Sequence, residues 1–353
     1  MESGTPDVLK RTQDISQGAL MSFVSTHPLS GAAYLLLAIS AAALVARKQN
    51  FSTWFACLSL VAALFGGIVS IEAVFALAAF LVLCLWHFSL RRGDVAFTFP
   101  GATMLSGLLV VAAAVTFAGH FMPGFHNAKI IDHMVMSPGG VPFTMYLDFD
   151  KVAAAWILAR CGGFFPVAAD SQKSANEQAD ARRSLVIGAL CLGSCLAVII
   201  PVSLAIGYIA FDPKIMPFFW IWAANNLIFV AFSEETLFRG MVQGSLTAGF
   251  TRLGWPAYAA LLVSAGLFGL AHIAGGWAYV ALAALAGLFY GAAFLKTNRL
   301  ETSIAVHFLL NFIHAVFFTY PALHIDTVAG ISDIETNAAS ERSRAAFARA
   351  LLP

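Results

Sequence analysis

Asn225 to Gly240 reads NNLIFVAFSEETLFRG, an apolar run of a kind a membrane accepts, interrupted by two adjacent glutamates and an arginine. Each charge inside a bilayer costs at least a few kcal/mol, so it calls for a partner, a water-filled cavity or a task. Which of these applies depends on what surrounds the run. Of the 353 residues, 59% are hydrophobic and 11% charged, with 31 phenylalanines, against about 25% charged residues in an average soluble domain. Mean hydropathy is +0.80. These values specify an all-α, polytopic transmembrane helical bundle.

A helix needs about 20 apolar residues to cross the hydrocarbon core. Candidate spans are 29–46, 51–71, 73–90, 101–120, 184–208, 217–240, 257–274, 276–295 and 301–320. A shorter piece, 152–168, contains Arg160 and a glycine pair. Basic residues cluster at Arg47/Lys48, Arg91/Arg92, Arg182/Arg183, Arg252 and Lys296/Arg299. Placing every cluster in the cytoplasm requires 152–168 to cross as well, which raises nine spans to ten and leaves both termini outside. The first 23 residues lack the basic, apolar and small-residue regions of a signal peptide, so insertion is expected from the internal spans. A multi-pass protein of the plasma membrane with a cytoplasm-facing site is expected.

The expected organisation has an N-terminal bundle over 1–168, including an extramembrane segment at 121–151 whose Pro-Gly-Gly turn signal joins two runs able to form a hairpin. A polar linker at 169–183 follows, then a C-terminal bundle at 184–320 with its motif core at 215–320, and a tail at 321–353. The net charge of +1 suggests neither nucleic acid nor an acidic substrate surface. The five cysteines fall in apolar runs without metal-type or disulfide spacing, so they read as small core residues. His126 and His133, beside Asp132, lack a recognisable ligand set and read as surface residues.

Most polar side chains of the second half form three groups. In SEETLFR, Glu235 and Arg239 are four apart on one helical face with the acid first, the favoured order for an ion pair. Glu234 is turned about 100° away and has no obvious countercharge. In LFGLAHIAGG, Phe268 and His272 share a face. In SIAVHFLLNFIHAV, His307 and Asn311 are four apart, and His314 reads as structural. Each group has a packing explanation: a histidine or asparagine as interhelical glue, a Glu–Arg pair as a helix lock. Intramembrane ionisable residues nevertheless default to function. A carboxylate shielded from water is a competent general base, a neutral histidine orients water or passes its proton on, and a second histidine with a carboxamide offers donors to an oxyanion. These parts suit peptide-bond hydrolysis by a glutamate-activated water. Neither a Gly-x-Ser-x-Gly turn nor a cysteine beside the histidines points to a covalent nucleophile. No cofactor is expected; zinc held by two histidines and a glutamate is the alternative.

EETLFRG, FGLAH and HFLLN, in this order and spacing, resemble the EExxxR, FxxxH and HxxxN-type motifs of the CAAX protease and bacteriocin-processing (CPBP, or Abi) family, which includes the type II CAAX prenyl endopeptidases. The match covers roughly 215–320. The resemblance implies an intramembrane glutamate endopeptidase, metal-independent, in which Glu234 and His272 activate water. Glu235 and Arg239 would support the site, as would the FxxxH residue Phe268, and His307 with Asn311 would form the oxyanion hole. The implied partners are the bilayer and a peptide or small-protein substrate, membrane-associated or prenylated. Two other classes fit the same residues: a proton-coupled transporter using Glu234 and the histidines as a relay, and a catalytically silent scaffold or immunity protein of the same fold. For Glu234 and His272 to meet, the helix through the glutamates is expected to run on toward Leu246.

Overall fold

The computed structural model describes residues 27–95, 98–166, 174–216 and 218–324, the side chains of 174–178 excepted. The stretch 1–26, the start of the polar linker at 169–173 and the tail beyond His324 lie outside the described residues. The described residues are 73% helical with few strands, as expected of an all-α polytopic bundle. Helices α1 (Pro28–Val45) and α2 (Gln49–Phe65) form an antiparallel hairpin. They close on small residues, with Ser40 and Ser52 each donating to the other's carbonyl at 2.8 Å and Ser59 donating to the Ala33 carbonyl at 2.7 Å. Such contacts suit lipid, where apolar burial gives no drive and close backbone approach supplies the attraction.

Helix α3 (Ile71–Arg92) follows the macrodipole rule, with Glu72 in its first turn and Arg91 and Arg92 in its last. Helix α4 (Ala102–Ala118) leads into a hairpin of β1 (Ala128–Met134) and β2 (Phe143–Leu147), antiparallel with two register shifts. Helix α5 (Phe149–Gly162) leaves β2 directly. Helix α6 (Ser174–Ala205) begins inside the polar stretch at 169–183 and runs 32 residues, about 48 Å at 1.5 Å per residue.

Helix α7 spans 219–252 and so runs through Leu246. Two π-helical stretches, Asn225–Ala231 and Thr236–Gln243, flank a single α-helical turn, Phe232–Glu235. Helix α8 (Ala257–Leu270) is followed by a tight turn, Ile273–Gly275, then α9 (Gly276–Thr297) and α10 (Leu300–Phe317).

By length and apolarity, five described segments can cross a membrane: Pro28–Val45, Ile71–Arg92, Ala179–Ala205, Ile273–Thr297 and Leu300–Phe317. Three of the other expected spans are shorter apolar helices, Gln49–Phe65, Ala102–Ala118 and Ala257–Leu270; 17 residues cover only about 26 Å. The span expected at 217–240 is the interrupted helix α7. Large apolar side chains such as Trp54, Phe65, Phe75, Met104 and Leu185 point outward, the arrangement of a chain whose solvent is lipid. This is an integral membrane protein.

The cysteines are all free thiols. Cys84, Cys191 and Cys195 are buried, but Cys57 is exposed on α2, which corrects its reading as a core residue. An apolar environment on the outside of the molecule makes hydropathy a poor guide to burial.

Candidate active site

The single α-helical turn of α7 sends its two glutamates to different partners. Glu235 is fully buried; its Oε2 lies 3.2 Å from Arg239 Nε and 2.5 Å from Ser303 Oγ, and its Oε1 lies 2.9 Å from His307 Nδ1. Arg239 is equally buried. It donates through Nη2 to the Gly287 carbonyl at 3.0 Å, and its guanidinium lies 4.5 Å from the Phe268 ring centre and 5.3 Å from that of Tyr290. Gly287 allows this approach, since a Cβ there would sit 3.2 Å from Nη2 and 3.3 Å from the Ala265 Cα. The cation is thus paired with Glu235, hydrogen-bonded through Nη2 and set against two aromatic rings, which offset its burial, while its Nε and Nη1 make no hydrogen bond.

Glu234, one residue earlier, turns elsewhere. Its Oε2 lies 3.8 Å from His272 Nε2, and no hydrogen bond reaches that buried oxygen. Its Oε1 accepts a hydrogen bond of 2.8 Å from Lys151 Nζ, at the start of α5. This corrects the expectation that Glu234 has no countercharge. The two residues are 83 positions apart, and no helical periodicity links them. The signal that was there, a lysine heading an apolar helix, names no partner.

The imidazoles are oriented from outside the site. His272 Nδ1 faces the Phe268 carbonyl at 2.7 Å. That acceptor can only be met by an N–H, so Nε2 carries the lone pair in the neutral ring. His272 also meets Tyr279 edge-on, with ring centres 5.0 Å apart. His307 gives Nδ1 to Glu235 and stacks on Tyr290 at 4.5 Å and 14°, so its Nε2 is a donor only when the ring is cationic. Asn311 donates to Asn226 Oδ1 at 3.3 Å. His314 is hydrogen-bonded to the Thr319 carbonyl at 3.1 Å.

Glu234, His272, His307 and Asn311 all line one cavity of about 1090 Å³, with Phe268 and Tyr290 in its wall. Glu235 and Arg239 are not in its lining; they stand behind His307. The cavity also runs along β2 and past His120 and Asp148, so the 121–151 segment borders the same space. Beyond the end of α4, His120 Nδ1 lies 2.8 Å from Asp150 Oδ2, a hydrogen bond that raises His120 above its ordinary value. Burial pushes Asp148 up.

Sequence reasoning missed Lys151, Ser303, Tyr290 and Asn226. Ser303 was within reach of it, since Ser303, His307 and Asn311 repeat at four-residue spacing along α10. Among the described residues no group of three or more His, Cys, Asp and Glu is arranged to hold a metal ion.

No curated protein and no solved structure matches the chain. Residues 216–313 match the family model described as Type II CAAX prenyl endopeptidase Rce1-like. That interval carries Glu234, Glu235, Arg239, Phe268, His272, His307 and Asn311, whereas Lys151 and the hairpin lie before it. The segment that supplies the carboxylates, imidazoles and carboxamide of the cavity is therefore the one that is similar to the Rce1-like type II CAAX prenyl endopeptidases.

Proposed function

We propose that the chain is an intramembrane endopeptidase that hydrolyses a peptide bond with a water activated by Glu234. The match at 216–313 supports a membrane endopeptidase of the CAAX-protease type. The observation that carries the finer reading is the meeting of Glu234, His272, His307 and Asn311 at one large cavity. Glu234 Oε2 and His272 Nε2 are too far apart to bond directly, and a water about 2.8 Å from each spans the gap.

In this reading Glu234 takes a proton from that water while His272 Nε2, its tautomer set by the Phe268 carbonyl, accepts the second hydrogen bond. The oxygen attacks the scissile carbonyl carbon. Asn311 Nδ2 and the Nε2–H of cationic His307 donate to the resulting oxyanion, and Glu235 holds the other N–H of that imidazolium. Collapse breaks the C–N bond as the proton passes to the leaving amine. Glu235, Arg239 and Phe268 act through the histidines as positioning residues. The substrate is a peptide or protein at the membrane, and a prenylated C-terminus is the class the family suggests.

The test is cleavage of a farnesylated peptide ending in a CAAX sequence by the protein in liposomes. Glu234→Gln, folded as judged by its unfolding transition, is expected to lose activity by about 100-fold or more, the lower range for a general base. Undiminished cleavage by that variant ends the proposal. Chelator inhibition reversed only by zinc moves the chemistry to a metalloprotease.

A further inference from the structure

We propose that Lys151, outside the family-matched segment, is the counter-ion and positioning residue of this site, keeping Glu234 ionised with one carboxylate oxygen occupied and the other free. The inference rests on the reading of Glu234 as the base and adds the group that makes a base available at that depth.

Lys151 Nζ and Glu234 Oε1 are 2.8 Å apart, and the side chains are only 14% and 15% exposed. Taking an isolated carboxylate out of water is so costly that the group takes up a proton instead, and a protonated Glu234 is far too weak a base to take a second proton from water. A cation in contact removes that difficulty. Arg239 is not available for this, being held by Glu235, Gly287 and two aromatic rings. Among the described residues, the basic groups within 4 Å of Glu234 are Lys151 and His272, and His272 offers its lone pair.

Lys151 is aimed by the segment that the catalytic chemistry otherwise leaves without a task. Asp150, buried, accepts from the Lys151 backbone N–H and from Asn127 Nδ2, each at 2.8 Å. Asn127 Oδ1 in turn accepts from the Phe149 N–H at 2.9 Å. The next residue, Ala128, opens β1 and donates its N–H to the Tyr34 hydroxyl at 2.9 Å. The first turn of α5 is thereby pinned to the hairpin and to α1, and the lysine projects from that fixed turn to the carboxylate. A brake on the site would have to occupy the oxygen that faces His272. Lys151 takes the other one, and Oε2 accepts no hydrogen bond.

Infrared spectroscopy of the purified full chain tests this without a substrate. The Glu234→Gln minus native difference spectrum is expected to show the loss of an ionised carboxylate stretch; loss of a neutral carboxyl stretch overturns the inference. Lys151→Met is expected to gain a neutral carboxyl band that is absent from the native protein and from Lys151→Met/Glu234→Gln. A Lys151→Met spectrum without that band also overturns it. In the farnesyl-peptide assay, Lys151→Met should lower kcat by about 100-fold with KM unchanged, and Lys151→Arg should recover most of the loss. If Glu234→Gln abolishes cleavage while Lys151→Met retains or exceeds native turnover, this inference fails and the protease reading stands. If Glu234→Gln cleaves normally, the protease reading fails, and the spectra still decide the ion pair.

Discussion

Replacing Arg239 with methionine separates an ion pair that merely fills space from one that holds the second histidine in place. Methionine keeps an apolar stem beside the Phe268 and Tyr290 rings, so the volume lost is small, but Glu235 is left fully buried with only Ser303 and His307 as partners. Removing one member of a buried pair costs about 3–5 kcal/mol because the remaining charge is uncompensated. Glu235→Gln should cost a similar amount by stranding the guanidinium. The double variant Glu235→Gln/Arg239→Met strands neither charge. It should be less destabilised than either single variant, with a coupling energy well above the ~0.5 kcal/mol expected of independent sites. The measurement is reversible unfolding in mixed detergent micelles, followed by fluorescence of the seven tryptophans. Single variants within about 1 kcal/mol of native, or costs that simply add, would refute this account of the cluster.

Gly291→Ala places a Cβ 2.7 Å from Gln243 Oε1 and 3.2 Å from Leu261 Cγ, displacing the amide that donates to the Gly291 carbonyl at 2.9 Å. A loss of about 1–3 kcal/mol is expected from such overpacking, read by the same unfolding assay; a neutral effect would mean the α7–α9 contact is looser than drawn. The hairpin should loosen as pH rises. His120, raised by its hydrogen bond to Asp150, contributes stability that is fully present below its ordinary value of 6.5 and is lost as pH climbs through the raised folded value. Asp148, Asp150 and Lys151 are the charged groups facing it. Hydrogen exchange in β1, corrected for intrinsic rates, should show this step in the native chain and lack it in His120→Gln. Identical profiles would remove His120 from the argument.

What the sequence determined by itself was set by composition and by short-range helical geometry. A chain with so few charges and so many apolar runs has to be a membrane-embedded helical bundle, because lipid satisfies no backbone hydrogen bonds and helices satisfy their own. Four-residue spacings place Glu235 over Arg239, Phe268 over His272 and His307 over Asn311 wherever those helices lie, and the first two of these pairs are in contact. The α-helical turn at Phe232–Glu235 keeps the ~100° between the two glutamates even though π-helix flanks it on both sides. Only the tertiary structure decided what each charge meets across helices. His307 joins Glu235 from 72 positions away and Lys151 joins Glu234 from 83. Those pairings depend on how α5, α7 and α10 pack, and local periodicity carries no information about the partner of a side chain that leaves its own helix.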